Sequence, residues 1–268
     1  MELTTGANTQ STFPLTTSSN ACGVPRYGTC KASSLAAERD DPLLLAAQQR
    51  HMPTVLVNRG ADDAPFSSVV NDDHESVRLV LEHLVALGHR HIAHIAGPSA
   101  SSTGKARRQA FIAHTVARGL QHCPVVQACA FTRQAGDTSA EKLLKRQPRP
   151  TAIFAANDLI ALGVLDAARR RAIAVPAQLS VVGHNDMPFA DLVAPALTTV
   201  HVATDQMSAL AAARFIDVLT NPEREITVSV LAPKLVVRAS TATCAPHDVS
   251  PAGNTPGADP IPVPSPSA

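Results

Sequence analysis

The stretch Pro150–His201, PTAIFAANDLIALGVLDAARRRAIAVPAQLSVVGHNDMPFADLVAPALTTVH, constrains the fold more than any other part of the chain. It reads strand, helix, strand. The first apolar run, Thr151–Ala155, stops at Asn157-Asp158, and the second, Leu179–Gly183, stops at His184-Asn185-Asp186. Strands that alternate with helices build an open parallel α/β sheet, and such sheets bind ligands at the carboxyl ends of their strands. The segment therefore implies both a fold class and the place to look for a ligand.

The 268 residues are enough for one or two domains with a real core. Aromatic residues are only 3% of the chain, with no Trp and one Tyr, so the core must be Leu, Val, Ile and Ala. The net charge of +1 argues against an electrostatic binder of nucleic acid or membranes. The local run Arg169-Arg170-Arg171 reads as a solvated helix end that complements the helix dipole. The five cysteines, Cys22, Cys30, Cys123, Cys129 and Cys244, are odd in number and form no C-x-x-C pair. That pattern supports neither a disulfide framework nor a zinc site and suits reduced thiols in a cytoplasm. Cys123 and Cys129 read as buried thiols. No apolar run approaches the roughly 20 residues a membrane helix needs, and the N-terminus has no secretory signal pattern.

The regular pattern lies between two irregular ends. Residues 1–38 are rich in Ser, Thr, Ala and Gly without a sustained period, and read as loop or disorder. The tail from residue 242 to 268 carries seven prolines, from Pro246 to Pro266, and reads as an unpacked extended segment. Between them, strands are expected at Thr54–Val57, Ser67–Val70, His91–Ala96, Val125–Phe131, Thr151–Ala155, Leu179–Gly183, Ile226–Leu231 and Lys234–Ala239. Helices are expected at Asp41–Arg50, behind the Asp72-x-x-Glu75 capping box, at 105–118, at Thr138–Lys145, after Asn157 and after a cap at Thr204. The helix behind Asp72 places Val77, Val80, Leu81, Leu84 and Val85 on one face and ends at Gly88. The alternation implies a mostly parallel, doubly wound sheet.

The strand ends form a constellation. Asn58 follows the first strand, Ser101, Thr103, Lys105 and Arg107 follow the strand at 91–96, Phe131 closes the weak strand, and Asn157 and Asn185 follow the next two. Amides, a guanidinium and an aromatic face suit a small polyhydroxylated or heterocyclic ligand. Taken singly, each has a plainer reading: Asn157 as a helix cap, Arg107 as a surface arginine, Phe131 as a core aromatic. No dinucleotide fingerprint, phosphate loop or nucleophile elbow occurs, and no cofactor is implied. The histidines at 83, 89, 91 and 94 are dense, but they fall on a helix, a turn and opposite faces of a strand, which is poor geometry for a metal.

The segments HLVALGHRHIAHIAGP, PTAIFAANDLIALGVLDAAR, VPAQLSVVGHNDMPFADLVAPALTTV and PTVLVNRG resemble the effector-binding domain of the lactose-repressor (LacI/GalR) family of bacterial transcription regulators. The resemblance covers about residues 39–241, with several motifs in family order and spacing. It implies a periplasmic-binding-protein-like fold, with two Rossmann-like subdomains joined by crossover strands and a sugar or nucleoside effector in the cleft. It further implies that Arg107 and Thr103, in the loop after Gly97-Pro98, contact effector, that Asn58 faces the cleft, that Phe131 packs on the ligand, and that Asn157 lines the site. Asn185 stands where the family usually has Asp, so a neutral amide replaces a carboxylate.

The resemblance also implies a domain plan. Residues 39–71 and 200–225 correspond to part of the N-terminal subdomain, and 72–199 with 226–241 to the C-terminal effector-binding subdomain. The family's N-terminal helix-turn-helix is not recognisable in residues 1–38. The expectation is a truncated sensing domain in the cytoplasm, neither an enzyme nor a membrane protein. It would not reach operator DNA alone, and would act as a homodimer or as a heterodimer with a full-length relative. The missing strands would leave sheet edges and apolar faces uncovered. A solute-binding protein of a sugar transporter is the alternative on the same fold.

Overall fold

The computed structural model describes residues 42–59, 66–120, 122–221 and 225–244. The head expected to be irregular and the tail beyond residue 244 lie outside the described residues. In chain order the elements are α1 (Pro42–Gln49), β1 (Val55–Val57), β2 (Ser67–Asn71), α2 (Asp73–Ala86), β3 (Ile92–Ala96), α3 (Ser102–Ala117), β4 (Val125–Gln127) and α4 (Arg133–Leu144). They continue with β5 (Ala152–Ala155), α5 (Asp158–Arg170), β6 (Ser180–Asn185), β7 (Thr198–His201), α6 (Thr204–Thr220), β8 (Val228–Leu231) and β9 (Lys234–Val236).

Two sheets result. The larger has the order β4-β3-β5-β6-β7-β9, parallel throughout except for the antiparallel edge strand β9. The smaller has the order β1-β2-β8 and is wholly parallel. The chain passes between the sheets at β2–α2, β7–α6 and β8–β9. The doubly wound architecture expected from the alternation is thus observed, distributed over two sheets.

Period-2 alternation sorts the core of the larger sheet. Ala93, Ile95, Ile153, Ala155 and Val181 pack on one face with Leu143 of α4 and Ile160 and Val164 of α5. Ile92, Ala152, Phe154 and Val182 pack on the other with Val77, Val80, Leu81 and Leu84 of α2 and Phe111 of α3. Strands covered on both faces need continuous apolar runs, which is why these segments read so clearly in sequence. The smaller sheet makes its own cluster from Val55, Val57 and Val69 against Met207 and Ala211 of α6, with Leu210, Phe215 and Val218 partly buried beside them. Its edge strand β8 leaves Val228 and Val230 exposed.

Several boundaries differ from expectation. The segment 226–241, expected to belong to the C-terminal subdomain as one piece, is divided: β8 pairs with β2 in the smaller sheet and β9 with β7 in the larger. β7 was not among the expected strands. The weak strand stops at Gln127, so Phe131 sits in the turn before α4 rather than closing a strand. β6 runs on to Asn185, because Gly183, His184 and Asn185 pair with β7. The cap of α6 is Ala203, which offers no side-chain acceptor, and Thr204 is the first helical residue. Residues 242–244, assigned to the unpacked tail, are bound: the Ala242 carbonyl meets His89 Nε2 at 3.1 Å, and Cys244 N donates to the Leu87 carbonyl at 2.8 Å. The thiols are less buried than expected, with Cys129 exposed and Cys123 half-buried. The arginine run is more than a solvated helix end, since Arg170 at the end of α5 and its C-cap Arg171 pair with Asp137 and Glu141 of α4.

Candidate functional site

The carboxyl ends of the strands carry the polar residues, as parallel α/β sheets dictate. On the smaller sheet these are Asn58 and Arg59 after β1 and Asn71 at the end of β2. On the larger sheet they are the 97–107 segment after β3, Ala156–Asp158 after β5 and His184–Asp186 at the end of β6. Two contacts bring the sets together. Arg59 Nη1 donates to Ser101 Oγ, and its guanidinium lies over the Phe131 ring, 5.7 Å from the centroid. Asp73, just past β2, pairs with Arg107 of α3 at 2.8 Å.

Each residue singled out by sequence has a definite place. Asn58 adopts φ +54, and its Oδ1 is buried without a hydrogen-bond partner among the described residues. Thr103, in the first turn of α3, is half-buried, with its hydroxyl 3.0 Å from Ser101 Oγ. Ser101 caps α3 by accepting from Gly104 N at 3.3 Å. Phe131 packs edge-on against Gly97, where an added Cβ would stand 2.4 Å from the ring, so glycine is what lets the aromatic approach the end of β3. Asn157 takes the cap reading: its Oδ1 accepts from Ile160 N at 2.8 Å. Asn185 adopts φ +116, a strained conformation for a residue with a side chain, and its Oδ1 accepts from His184 Nδ1 at 3.0 Å.

Arg107 departs most from expectation. It is neither a surface residue nor an open contact group, being 2% exposed. Nε donates to Asp73 Oδ1 at 2.8 Å and Nη1 to the Ala156 carbonyl at 2.5 Å. A guanidinium so far from water requires a counter-ion, and Asp73 supplies it.

Sequence reasoning missed four participants. Asp73 was read as part of a helix start, which it also is. Arg59 stood only inside the segment PTVLVNRG, with no role assigned. Asp158 is fully buried, with Oδ1 accepting from Thr199 Oγ1 at 2.5 Å and Oδ2 from Met187 N at 2.8 Å. Burial pushes its carboxyl up to about 6 against those two stabilising bonds. His184 is fully buried, and its Nε2 lies 3.7 Å from Asp73 Oδ1 without a hydrogen-bond partner. Burial, and secondarily the Arg107 charge, holds it well below the usual imidazole range. The pairing of Asp158 with Thr199 spans forty-one residues, and no local pattern announces it.

The site is therefore rich in acceptors. Asn58 Oδ1, Asn71 Oδ1 and His184 Nε2 are all buried and lack a donor among the described residues. Buried polar atoms are ordinarily paired, and these three are acceptors at the ends of strands. Among the described residues, no three His, Cys, Asp or Glu side chains are grouped to hold a metal ion, and no helix is long and apolar enough to cross a membrane.

Residues 81–241 match the family model of the periplasmic binding protein-like domain. The structure of a LacI transcriptional regulator from a Rhodococcus species is 32% identical, with 81% of this chain and 80% of that one aligned at a TM-score of 0.72. The chain belongs to the LacI family, as an effector-binding domain of periplasmic-binding-protein-like fold. The complex of the transcriptional regulator CelR with cellobiose is similarly close, at 32% identity over 78% of this chain and 64% of that one, with a TM-score of 0.73. The HTH-type transcriptional repressor PurR of Edwardsiella ictaluri is 29% identical over 227 residues, 78% of this chain and 65% of the repressor. This LacI-family chain thus spans just under two thirds of the length of that curated relative.

Proposed function

We propose that this chain is the small-molecule sensor of a LacI-type transcription regulator, with an uncharged sugar or a nucleoside as effector. The observation that carries the reading is the convergence of strand ends from both sheets on one acceptor-rich region, with three buried acceptors awaiting donors. Sugar and ribose hydroxyls are such donors. Asn58, Thr103, Phe131 and Asn185 are the proposed contact residues, with Asn157 and Arg107 holding the wall behind them. The CelR–cellobiose complex supports a sugar, and the PurR relative supports the regulator role.

The mechanism follows from where the effector would sit. A ligand between the two sheets interacts differently with open and closed arrangements, and that difference shifts the equilibrium between them. Arg59, reaching from β1 to Ser101 and Phe131, is the side chain that reports the gap. In such a regulator the shift is read by a helix-turn-helix, and the sensor would act there as a dimer in the cytoplasm. The described residues offer binding groups, and the reading is of a sensor rather than an enzyme.

Thermal-shift screening of the full chain against sugars and nucleosides tests the reading. Arg107→Ala and Asn157→Ala would damage the fold directly, because both side chains make buried hydrogen bonds. Phe131→Ala and Thr103→Val are therefore the diagnostic variants. A stabilising ligand whose effect falls at least about tenfold in both supports the site. A folded wild type that no sugar or nucleoside shifts refutes it.

A further inference from the structure

A guanidinium at the end of a ligand cleft ordinarily serves as an anion receptor, since its fork matches carboxylate and phosphate. In this chain two of the three guanidinium nitrogens of Arg107 are engaged by the protein's own groups. Asp73 Oδ1 takes Nε at 2.8 Å, the Ala156 carbonyl takes Nη1 at 2.5 Å, and the two charged side chains are 3% and 9% exposed. The passage from β2 into α2 brings Asp73 there. Asn71, the last residue of β2, donates from Nδ2 to Ser76 Oγ at 2.8 Å and, more weakly, to Asp73 Oδ1 at 3.4 Å. The carboxylate is thus anchored from the smaller sheet while it neutralises an arginine of the larger one.

The imidazoles near the pair add no positive charge. His184 and His94 are fully buried, and burial holds both imidazoles in the neutral form. The unsatisfied atoms beside Asp73, Asn71 Oδ1 and His184 Nε2, are acceptors. A ligand hydroxyl can donate to them. A ligand carboxylate or phosphate would set its charge against Asp73 and against acceptor lone pairs, and would lose its hydration without compensation from Arg107.

We propose that Asp73 is a specificity determinant of the cleft: by neutralising Arg107 it admits uncharged, hydroxyl-donating ligands and excludes carboxylated or phosphorylated ligands of the same shape. This rests on the cleft being the effector site, and it assigns to Asp73 a role beyond opening α2. Asp73→Asn keeps an oxygen for Arg107 Nε while removing the charge, so it converts a neutral pair into a buried cation.

The experiment compares wild type, Asp73→Asn and the double variant Asp73→Asn with Arg107→Gln. Each full chain is melted in inorganic phosphate and in chloride at matched ionic strength. Wild type is expected to gain nothing specific from phosphate. Asp73→Asn is expected to bind phosphate roughly tenfold or more tightly than wild type, and the double variant to lose that gain. The comparison with the double variant separates Arg107 from Arg59, the other cation of the cleft. A cooperatively folded Asp73→Asn chain with no phosphate gain overturns the proposal. So does a phosphate shift in wild type that Arg107→Gln abolishes, a measurement that stands even if Asp73→Asn fails to fold. Matched pairs such as galactose and galacturonate extend the test: Asp73→Asn should move preference toward the acid. If no sugar or nucleoside shifts wild type at all, the sensor reading fails, while the phosphate comparison still decides the role of Asp73.

Discussion

The most quantitative consequence of this core is its response to acid. His94 stands on β3 between two aromatic rings, Phe111 at 5.0 Å and Phe154 at 4.8 Å between centroids. Its Nδ1 donates to the Phe154 carbonyl at 2.9 Å, and its Nε2 has no partner among the described residues. Burial holds the imidazole at about 3, against a usual value of 6.5. A histidine depressed in the folded state takes its proton first in the unfolded chain. Stability is therefore full above 6.5 and falls as the pH drops from there toward 3. At pH 5 the unfolded chain has gained about 1.5 pH units of proton affinity, about 2 kcal/mol at 1.36 kcal/mol per unit. The perturbation is His94→Leu, which removes this titration. Between pH 7 and pH 5 wild type should lose about 2 kcal/mol more than the variant, or roughly 4–8 °C in melting temperature for a domain of this size. Asp158 and His184 also titrate, but they are present in both proteins and cancel in the difference. Denaturant melts at half-unit pH steps measure it. Parallel stability–pH curves for wild type and His94→Leu would refute the assignment of a neutral, water-excluded imidazole.

Three further outcomes are expected. Asp158 has the opposite sign from His94: its raised value of about 6 means stability present below the usual carboxyl range and lost as the pH rises through 6. Asp158→Asn should therefore flatten the stability profile between about pH 4 and 6, and an unchanged slope there would show that the carboxyl is not held up. Gly97→Ala forces a methyl to within 2.4 Å of Phe131, and should cost about 1–3 kcal/mol by denaturant melt while shifting the ring's environment in aromatic proton NMR. Native-state labelling with N-ethylmaleimide, mapped by mass spectrometry, should modify Cys129 ahead of Cys123, whose thiol is half-buried and pushed up by burial. Equal rates at the two sites would contradict their placement.

Much of the site was legible at the level of position and little at the level of partnership. Asn58, Asn157 and Asn185 stand at or next to strand ends, because a strand's end can be read from where its apolar run breaks. What each side chain does there depends on atoms from other elements. Asn157 gives its oxygen to the helix it opens, as a local rule would have it. Arg107 gives its Nε–H to Asp73, thirty-four residues earlier, and no local rule connects them. The division of 226–241 was missed for a related reason. β8 and β9 are short and half-exposed, and their alternation is compatible with either sheet.

By itself, then, the sequence determined the fold class, the strand–helix alternation, the helix starts at Asp72 and Asn157, and the family. All of these rest on periodicity, capping and motif spacing within one segment at a time. Only the tertiary structure decided the charge state of the site. Whether Arg107 is an open receptor or half of a closed ion pair, and whether His94 and His184 carry protons, depends on burial and on neighbours contributed by separate strands and helices. Those are properties of the packed assembly, and the distance along the chain between Asp73, Arg107 and His184 is why no segment of the chain reveals them alone.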